Sequence, residues 1–441
     1  MLILGQFQSD LVRLLTLRDY NTRVVMFGTL VLGLAAGVVG TFMLLRKRAL
    51  MGDALSHATL PGIVLTFIVV TLMGGDGKNL AVLLTGATIF GLLGVACVML
   101  IRNVTRLKED AALGIVLSVF FGFGVALLGI AQEMPQGGQA GLNSFITGKP
   151  ASLTGRDMWG IIVVAVILLV VSAALYKEFK LLSFDQNYAA ARGWPVLALD
   201  ITLMALVTAV TVIGLHAVGL ILVIALLIIP PAAARFWTDR LGVMLPLAGA
   251  IGAVSAVLGA ALSALVSKLA AGAVIVLVAA SLFAISMIFG PRRGVLARYI
   301  QHVTLTRRVN QQNLLRAMYE GTERGGDEGV TLKPLLEARS WSRWRLRRTL
   351  AAAQRQDWVR RDTAGRYHLT DRGQAEAAQV LRNHRLWELY LITHADVAPS
   401  HVDRDADMIE HVLGGEMVRK LEAILERNDR TEAVPRSPHV V

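Results

Sequence analysis

The sequence predicts an all-α polytopic membrane protein with about nine transmembrane helices, followed by a C-terminal α+β winged-helix domain. Hydrophobic residues make up 54% of the 441-residue chain and charged residues 17%, whereas soluble proteins carry about 25% charged residues. The apolar residues form long runs before Pro291. After that point charged and polar residues recur every few positions, so the two parts of the chain are expected to have different surroundings.

Residues 1–20 are predicted to form a lead-in that lies on the membrane surface. This stretch carries Asp10, Arg13, Arg18 and Asp19 and has no uninterrupted apolar core. A cleavable signal peptide has such a core, so the sequence does not indicate one.

A transmembrane domain is predicted over 21–291. Nine apolar segments there approach the roughly 20 residues that a helix needs to cross a bilayer. These segments are 24–45, 54–73, 79–101, 111–131, 158–176, 196–215, 217–235, 243–265 and 273–290. Half-spans among them would leave eight, and the short link at 216–219 is the weakest boundary.

The distribution of positive charge predicts the orientation in the membrane. Lysine and arginine collect after alternate segments, at 46–48, 102–108, 177–180, 235–240 and 292–293. Such loops face the cytoplasm, so we expect a multi-pass protein of the bacterial plasma (inner) membrane with a cytoplasmic C-terminal domain. The net charge of +12 fits either loops beside anionic lipid or a nucleic-acid surface. The single cysteine, Cys97, excludes a disulfide framework and is expected to pack in the core.

Asp53 and His57 are the most informative polar residues of the apolar region. They are four residues apart, so on a helix they share one face. Carboxylate and imidazole together suit Mn²⁺, Fe²⁺ or Zn²⁺, and an ionisable group within a membrane helix indicates a functional site. The alternative is that Asp53 caps the helix while His57 hydrogen-bonds a neighbouring helix. Two ligands are too few for a tight site, so a transient metal station is predicted.

The segment 215–235 contains a second set of candidate residues. Pro230 and Pro231 remove backbone donors near the inner end of a span, which predicts a kink and free carbonyl groups. His216 stands at the outer end, where it could receive a metal. An interfacial histidine without a ligand role is an equal alternative.

A short helix is predicted in the longest cytoplasmic loop, between 176 and 195. Ser183 and Gln186 have capping-box spacing, and Phe184 and Asp185 lie between them. Gly193, followed by a proline two residues later, ends the helix. We expect this segment to contact a partner subunit.

Together these segments resemble the permeases of ABC importers for manganese, zinc and iron, with matching stretches at 52–58, 180–185 and 217–235. The resemblance implies a dimer of identical or related permeases, a cytoplasmic ATPase subunit that binds ATP, and an external metal-binding lipoprotein or periplasmic protein. It also implies that Asp53 and His57 line the metal path and that the 183–193 segment couples the ATPase. The sequence has no phosphate-binding loop. We therefore expect neither an enzyme nor a permanently bound cofactor.

A winged-helix domain is predicted over 310–372, after a linker at 292–309. Helices at 331–338 and 343–353 form a helix-turn-helix, and two short strands flank a turn at 364–365. Four arginines of the second helix suit phosphate contacts; they are Arg343, Arg345, Arg347 and Arg348. A domain tethered to a bilayer reaches few DNA sites, so regulatory or protein contacts are favoured over nucleic acid.

The region 373–426 is predicted to be helical and 427–441 to be a disordered tail. Over 310–426 the chain resembles metal-dependent repressors that sense iron or manganese. The resemblance implies a dimerisation region with a sensing metal held by His384, Glu388, Asp407, Glu410 and His411. The sequence departs from the family in the first helix, which carries Asn313 and Arg316. An arginine there repels a cation, so at least one metal site is expected to be lost or rebuilt, and dimer contacts are the alternative use.

The favoured function is a permease subunit that passes Mn²⁺, Zn²⁺ or Fe²⁺ from an external binding protein to the cytoplasm. The alternative is a membrane-anchored, metal-responsive transcriptional regulator, although nine spans exceed what an anchor needs. An importer for a metal chelate is a third possibility, which requires a wider and less ionisable path.

Overall fold

The computed structural model describes residues 19–75, 77, 79–134, 153–265, 270–325, 329–338 and 341–394. The chain divides into two compact units, Met1–Ala297 and Arg298–Val441. The lead-in up to residue 18 and the predicted tail at 427–441 lie outside the described residues.

The first unit is built mainly from apolar helices. Its helices are α1 (Tyr20–Leu45), α2 (Met51–Leu72), α3 (Leu80–Val104), α4 (Glu109–Glu133), α5 (Gly155–Ala174), α6 (Tyr176–Phe184), α7 (Gln186–Ala191), α8 (Val196–Val218), α9 (Leu220–Ala234), α10 (Leu241–Leu265) and α11 (Ala271–Phe289). Within the described residues, eight of these helices are long and apolar enough to cross a membrane. The predicted polytopic all-α class is confirmed.

The ninth apolar helix, α9, is shorter than a full span. Its 15 residues extend about 22 Å at 1.5 Å per residue, against a hydrocarbon core of about 30 Å. Gly219 separates α9 from α8 with φ 84° and ψ 169°, a conformation that is open almost only to glycine. The short link predicted at 216–219 is therefore a one-residue break, and the described residues contain eight helices of full span length.

Helix α1 is the most buried of the eight long helices and packs against α5, α8, α9 and α10. Its contact with α10 brings two backbones together: a Cβ atom on Gly33 would lie 2.5 Å from the carbonyl oxygen of Gly252. Small residues allow such approaches between membrane helices. Helix α2 packs against α3 and α4 in the same unit, and Cys97 of α3 is partly buried against the core.

The predicted short helix is present, but its predicted cap is wrong. Ser183 lies inside α6, which ends at Phe184, and α7 begins at Gln186. Asp185 caps α7 instead, because its carboxylate accepts a hydrogen bond from the Tyr188 N–H at 2.8 Å. A carboxylate one residue before a helix can accept a hydrogen bond from a free N–H group of the first turn. Asp185 directly precedes α7, whereas Ser183 is still within α6.

The second unit contains a helix-turn-helix and a β-hairpin. Helix α12 (Val295–Gly325) is followed by α13 (Leu332–Ala338), α14 (Arg343–Arg355), strands β1 (Val359–Arg361) and β2 (Tyr367–Leu369), and α15 (Asp371–His394). The strands pair antiparallel, with Val359 opposite Leu369. This is the predicted winged-helix order. Residues 292–309, predicted as a linker, are helical from Val295 onward.

Candidate metal pathway

The start of α2 places Asp53 and His57 one above the other. The helix begins at Met51, and the His57 Nε2 atom lies 3.4 Å from the Asp53 Oδ1 atom. Asp53 is in the first turn, where the helix dipole favours a negative charge. The N-cap residue is Leu50, and no side chain caps this end. The alternative that Asp53 caps the helix is therefore wrong.

The surroundings of His57 leave one of its nitrogens unused. Within the described part of the chain, the buried Nδ1 atom has no hydrogen-bond partner. The ring edge packs against Phe121 of α4, with the ring centroids 4.7 Å apart. Buried polar atoms are almost always paired. This unpaired imidazole nitrogen lies beside a carboxylate, so a cation or a group of a second subunit could be its bonding partner.

The pair is an incomplete metal site by itself. Asp53 and His57 are partly exposed, at 33% and 19% of their side-chain surfaces. In the residues that the structure describes, no three or more His, Cys, Asp or Glu side chains are grouped so that they could hold a metal ion. Transition metals take four to six ligands, so Asp53 and His57 alone do not make a complete metal site, and their role as metal ligands stays a prediction.

The turn between α1 and α2 holds its arginines in fixed positions. The Arg48 N–H donates to the Met43 carbonyl and the Lys47 N–H to the Leu44 carbonyl, both at 3.0 Å. This is the Schellman pattern that ends many helices, and it requires a left-handed residue after the cap. Lys47 takes that role with φ 59°, where glycine is usual.

Arg46 and Arg48 converge on Asp200, a carboxylate in the second turn of α8 that is 2% exposed. The Arg48 Nη1 atom lies 2.6 Å and the Arg46 Nη2 atom 3.1 Å from the same Asp200 oxygen. Arg48 also pairs with Glu109 at the start of α4. Arg102 of α3 lies 3.5 Å from Glu109 and 3.6 Å from Asp200. Three cations thus share two anions, which joins the turn between α1 and α2 to α3, α4 and α8.

This ion network also reaches the short helices. The Arg46 Nη1 atom donates to the Leu182 carbonyl of α6 at 2.9 Å and to the Gln186 side chain of α7 at 3.0 Å. Burial lowers the pKa of the Arg46 guanidinium below its usual value, and the neighbouring Asp200 carboxylate acts in the opposite direction. Arg46 is therefore held between the membrane helices and the segment predicted to couple the ATPase.

Asp200 is not among the functional residues predicted from the sequence. The sequence marks Arg46 and Arg48 only as part of a cytoplasmic loop, whereas both side chains are largely buried. The available signal was an aspartate inside the apolar segment 196–215, because a buried acid in such a segment needs a cationic partner.

The other predicted residues of the transmembrane region lie on α6 to α9. Phe184 is 63% exposed at the end of α6, and Gly193 follows α7 with φ 79°. His216 lies in the last turn of α8, but its side chain is outside the described set, so its role stays a prediction.

Helix α9 continues through Pro230 and Pro231 to Ala234. Because Pro231 has no N–H group, the Leu227 carbonyl loses its usual helical donor. That carbonyl faces Gly40 of α1, where no Cβ atom would fit. The predicted free carbonyl groups and the predicted kink both stay predictions.

His384 is the predicted regulatory ligand whose side chain the structure describes. It lies on α15, is 1% exposed, and its Nδ1 atom is 3.1 Å from the Arg316 guanidinium. Arginine only donates hydrogen bonds, so this nitrogen accepts one and is not open to a cation. The side chain of Glu388, and Asp407, Glu410 and His411 altogether, lie outside the described residues. The regulatory metal therefore stays a prediction.

The chain resembles known transport proteins over most of its length. Residues 18–290 match the sequence profile of the ABC 3 transport family. This chain belongs to the ABC 3 transport family. The prediction of that family is confirmed, and the permease is the membrane subunit of an ATP-binding-cassette transporter rather than an enzyme.

Two curated relatives and one solved structure illustrate the similarity. The permease is 39% identical over 391 residues to the manganese transport system membrane protein MntC of Bacillus subtilis (strain 168), covering 89% of this chain and 88% of that protein. It is 43% identical over 278 residues to the zinc transport system membrane protein TroC of Treponema pallidum (strain Nichols), covering 63% and 92%. PsaBC from Streptococcus pneumoniae in complex with Fab matches with a TM-score of 0.56 at 33% identity, covering 68% of this chain and 99% of that chain.

The C-terminal part has its own similarity. Residues 370–438 match the profile of the metal binding and dimerisation domain of iron dependent repressors. The family match ends at residue 290, whereas 391 residues of this chain align with MntC. MntC of Bacillus subtilis therefore also shares part of the second unit. The predicted likeness of the C-terminal region to metal-dependent repressors is confirmed.

Proposed function

We propose that this permease imports a divalent transition metal ion, Mn²⁺, Zn²⁺ or Fe²⁺, across a bacterial plasma membrane, with Asp53 and His57 on the ion's path. The observation that carries the proposal is the carboxylate and imidazole on one face at the start of α2, with a buried imidazole nitrogen that has no partner in the described part of the chain. The relatives named for manganese and zinc transport support it.

A second permease subunit, identical or related, completes the ion site in this proposal. The Asp53–His57 pair offers two donors, and two chains that bring their pairs together offer four, which is the number that zinc sites commonly use. A weak four-donor site exchanges its ion readily, as a transport path requires. The proposal predicts one bound metal ion per two chains.

An ATPase subunit drives transport by contacting the segment around α6 and α7. Three aromatic side chains in this segment are strongly exposed for large apolar groups: Phe184 at 63%, Tyr188 at 50% and Trp194 at 43%. Exposed apolar groups of this kind favour a protein contact. Arg46 lies in the turn that precedes α2, and its guanidinium group contacts both Gln186 of α7 and Asp200 of α8. We infer that a shift of α7 is transmitted by this ion network to Asp53.

The remaining partners follow from the transport proposal. An external metal-binding lipoprotein or periplasmic protein delivers the ion, and the ATPase subunit binds ATP. The C-terminal domain lies in the cytoplasm, as the positively charged loops indicate, and regulates uptake through protein contacts. The profile match of residues 370–438 supports the regulatory use.

Replacing Asp53 by alanine tests the proposal directly. We expect metal uptake by cells to fall about 10–100-fold, which is the usual loss of metal affinity or activity when a metal site is disturbed. The amount of permease in the membrane is expected to stay unchanged. Asp239→Ala is the matched control, because Asp239 is a half-exposed carboxylate paired with Arg293. Normal uptake by the Asp53→Ala variant refutes the assigned path. Competition among Mn²⁺, Zn²⁺ and Fe²⁺ in the reconstituted complex identifies the ion carried.

A further inference from the structure

A groove of about 610 Å³ in the second unit lies between α12 and α14. One face of α12 lines it with Tyr299, His302 and Arg307, and one face of α14 lines it with Arg345 and other cationic residues. The full lining recurs at three- and four-residue intervals, at 299, 302, 303, 306, 307, 310 and 311 of α12 and at 344, 345, 348, 349, 352 and 355 of α14, so each helix presents a continuous stripe. Among the residues that the structure describes, no aspartate or glutamate lines the groove.

The groove is strongly positive because neither helix balances its arginines. The stretch 295–319 of α12 and the whole of α14 contain no acidic residue, and α14 alone carries five arginines. Arg345, Arg348 and Arg355 face the groove. Trp344 stands beside them, 68% exposed, with the Arg348 guanidinium 5.3 Å from its ring centroid. Such a surface attracts anions.

The first turns of α12 add an apolar surface that a nucleic-acid site does not need. Four large side chains there are strongly exposed: Val295 at 54%, Leu296 at 42%, Tyr299 at 64% and Ile300 at 54%. A domain surrounded by water rarely exposes so many apolar groups in two turns. A helix that lies in a membrane interface has this combination of apolar residues, arginines and aromatic rings.

Chain connectivity keeps this surface close to the bilayer. Nine residues separate Phe289, the last residue of α11, from Tyr299. An extended chain of that length reaches at most about 35 Å. Clusters of arginine immediately after a membrane span on the cytoplasmic side bind anionic lipid.

We propose that the groove between α12 and α14 binds the phosphate headgroups of anionic phospholipids. The exposed apolar side chains of α12 enter the interface, and Arg307, Arg345 and Arg348 contact the headgroups. In this proposal the arginines of α14, which in a DNA-binding winged helix would contact DNA phosphates, bind lipid phosphates instead. This inference does not depend on which ion the permease carries.

A fluorescent probe in the groove tests the proposal in the full chain. An environment-sensitive dye is attached at Thr306→Cys, which lines the groove, in a Cys97→Ser background. The labelled permease is placed in nanodiscs of phosphatidylcholine alone or of phosphatidylcholine with increasing phosphatidylglycerol. We expect a blue shift that grows with phosphatidylglycerol and is lost at high salt.

Charge-removal variants distinguish a built site from general attraction. The groove variant changes Arg307, Arg345 and Arg348 to glutamine. Each arginine contributes roughly fivefold to anionic-membrane binding, so the loss is on the order of 100-fold, and no blue shift is expected at any phosphatidylglycerol content. The matched control removes three arginines of the hairpin instead, by Arg360→Gln, Arg361→Gln and Arg366→Gln, and is expected to keep most of the shift.

Three outcomes overturn the proposal. An equal blue shift in phosphatidylcholine alone removes the role of the anionic headgroup. Equal losses in the groove and hairpin variants reduce the effect to overall charge. A shift that duplex DNA produces in phosphatidylcholine nanodiscs, and that phosphatidylglycerol does not, assigns the groove to nucleic acid.

Discussion

Replacement of Asp200 by asparagine keeps the shape of the side chain and removes one charge from the buried ion network. Within the described network the remaining carboxylate is then Glu109, which pairs with Arg48, and both guanidinium groups remain buried. Removing one partner of a buried ion pair costs about 3–5 kcal/mol, because the other charge stays uncompensated. At about 2 °C per kcal/mol for a large domain, the unfolding midpoint is expected to fall by roughly 6–10 °C.

The assay is thermal unfolding of the purified permease in detergent. Asp239→Asn is the matched control, since it removes the same charge from an exposed pair with Arg293, 2.7 Å apart. Exposed pairs contribute about 0.2–1 kcal/mol, so the control is expected to lose at most about 2 °C. Similar midpoints for the two variants refute the reasoning. In the reconstituted complex, Asp200→Asn is also expected to hydrolyse ATP without the matching metal uptake, because the link from α7 to α2 is broken.

The two remaining predictions concern helix packing and the hairpin. Gly33→Ala places a Cβ atom 2.5 Å from the Gly252 carbonyl oxygen and is expected to destabilise the permease by about 1–3 kcal/mol. The control is Gly114→Ala, whose Cβ atom meets nothing within 4 Å and which is expected to be neutral or stabilising by about 0.5–1 kcal/mol. Equal unfolding midpoints for the two variants contradict the packing argument. A hydrogen bond from His368, 3.1 Å away, lowers the pKa of Asp362 in the folded state. The ionised Asp362 carboxylate therefore stabilises the hairpin at pH values above the pKa of the unfolded state, and this stabilisation is lost as the pH falls through the pKa of the folded state. Asp362→Asn should therefore speed amide hydrogen exchange in the hairpin at neutral pH, with a difference that disappears in acid; a difference that persists there contradicts the assignment.

The sequence was sufficient for the parts of the fold that depend on local pattern. Apolar segments of about 20 residues gave the spans because a bilayer demands that length. The winged-helix order followed from turn residues between short apolar repeats. Asp53 and His57 could be paired because the four-residue spacing fixes their relation on a single helix. Each of these inferences uses residues that are close together in the chain.

The parts that could not be predicted depend on residues far apart in the chain. Asp200 is 154 positions from Arg46, and no local pattern indicates that the two meet. The turn at Lys47 has the geometry of a glycine cap without a glycine, so the usual signal was absent. The cap of α7 was misplaced by two residues, because Ser183 and Asp185 are both good cap residues and the choice depends on where α6 ends.

The twelve residues from Arg46 to His57 bring both halves of the proposed mechanism to one place. The arginines of the turn are hydrogen-bonded to α6, α7 and α8, and the proposed ion ligands lie in the first two turns of the helix that follows this turn. An α-helix moves as one body because its backbone hydrogen bonds hold it together. We therefore propose that a movement of α7 that displaces Arg46 shifts the start of α2 and, with it, Asp53. Asp200 is central to this proposal, since its carboxylate accepts hydrogen bonds from both arginines.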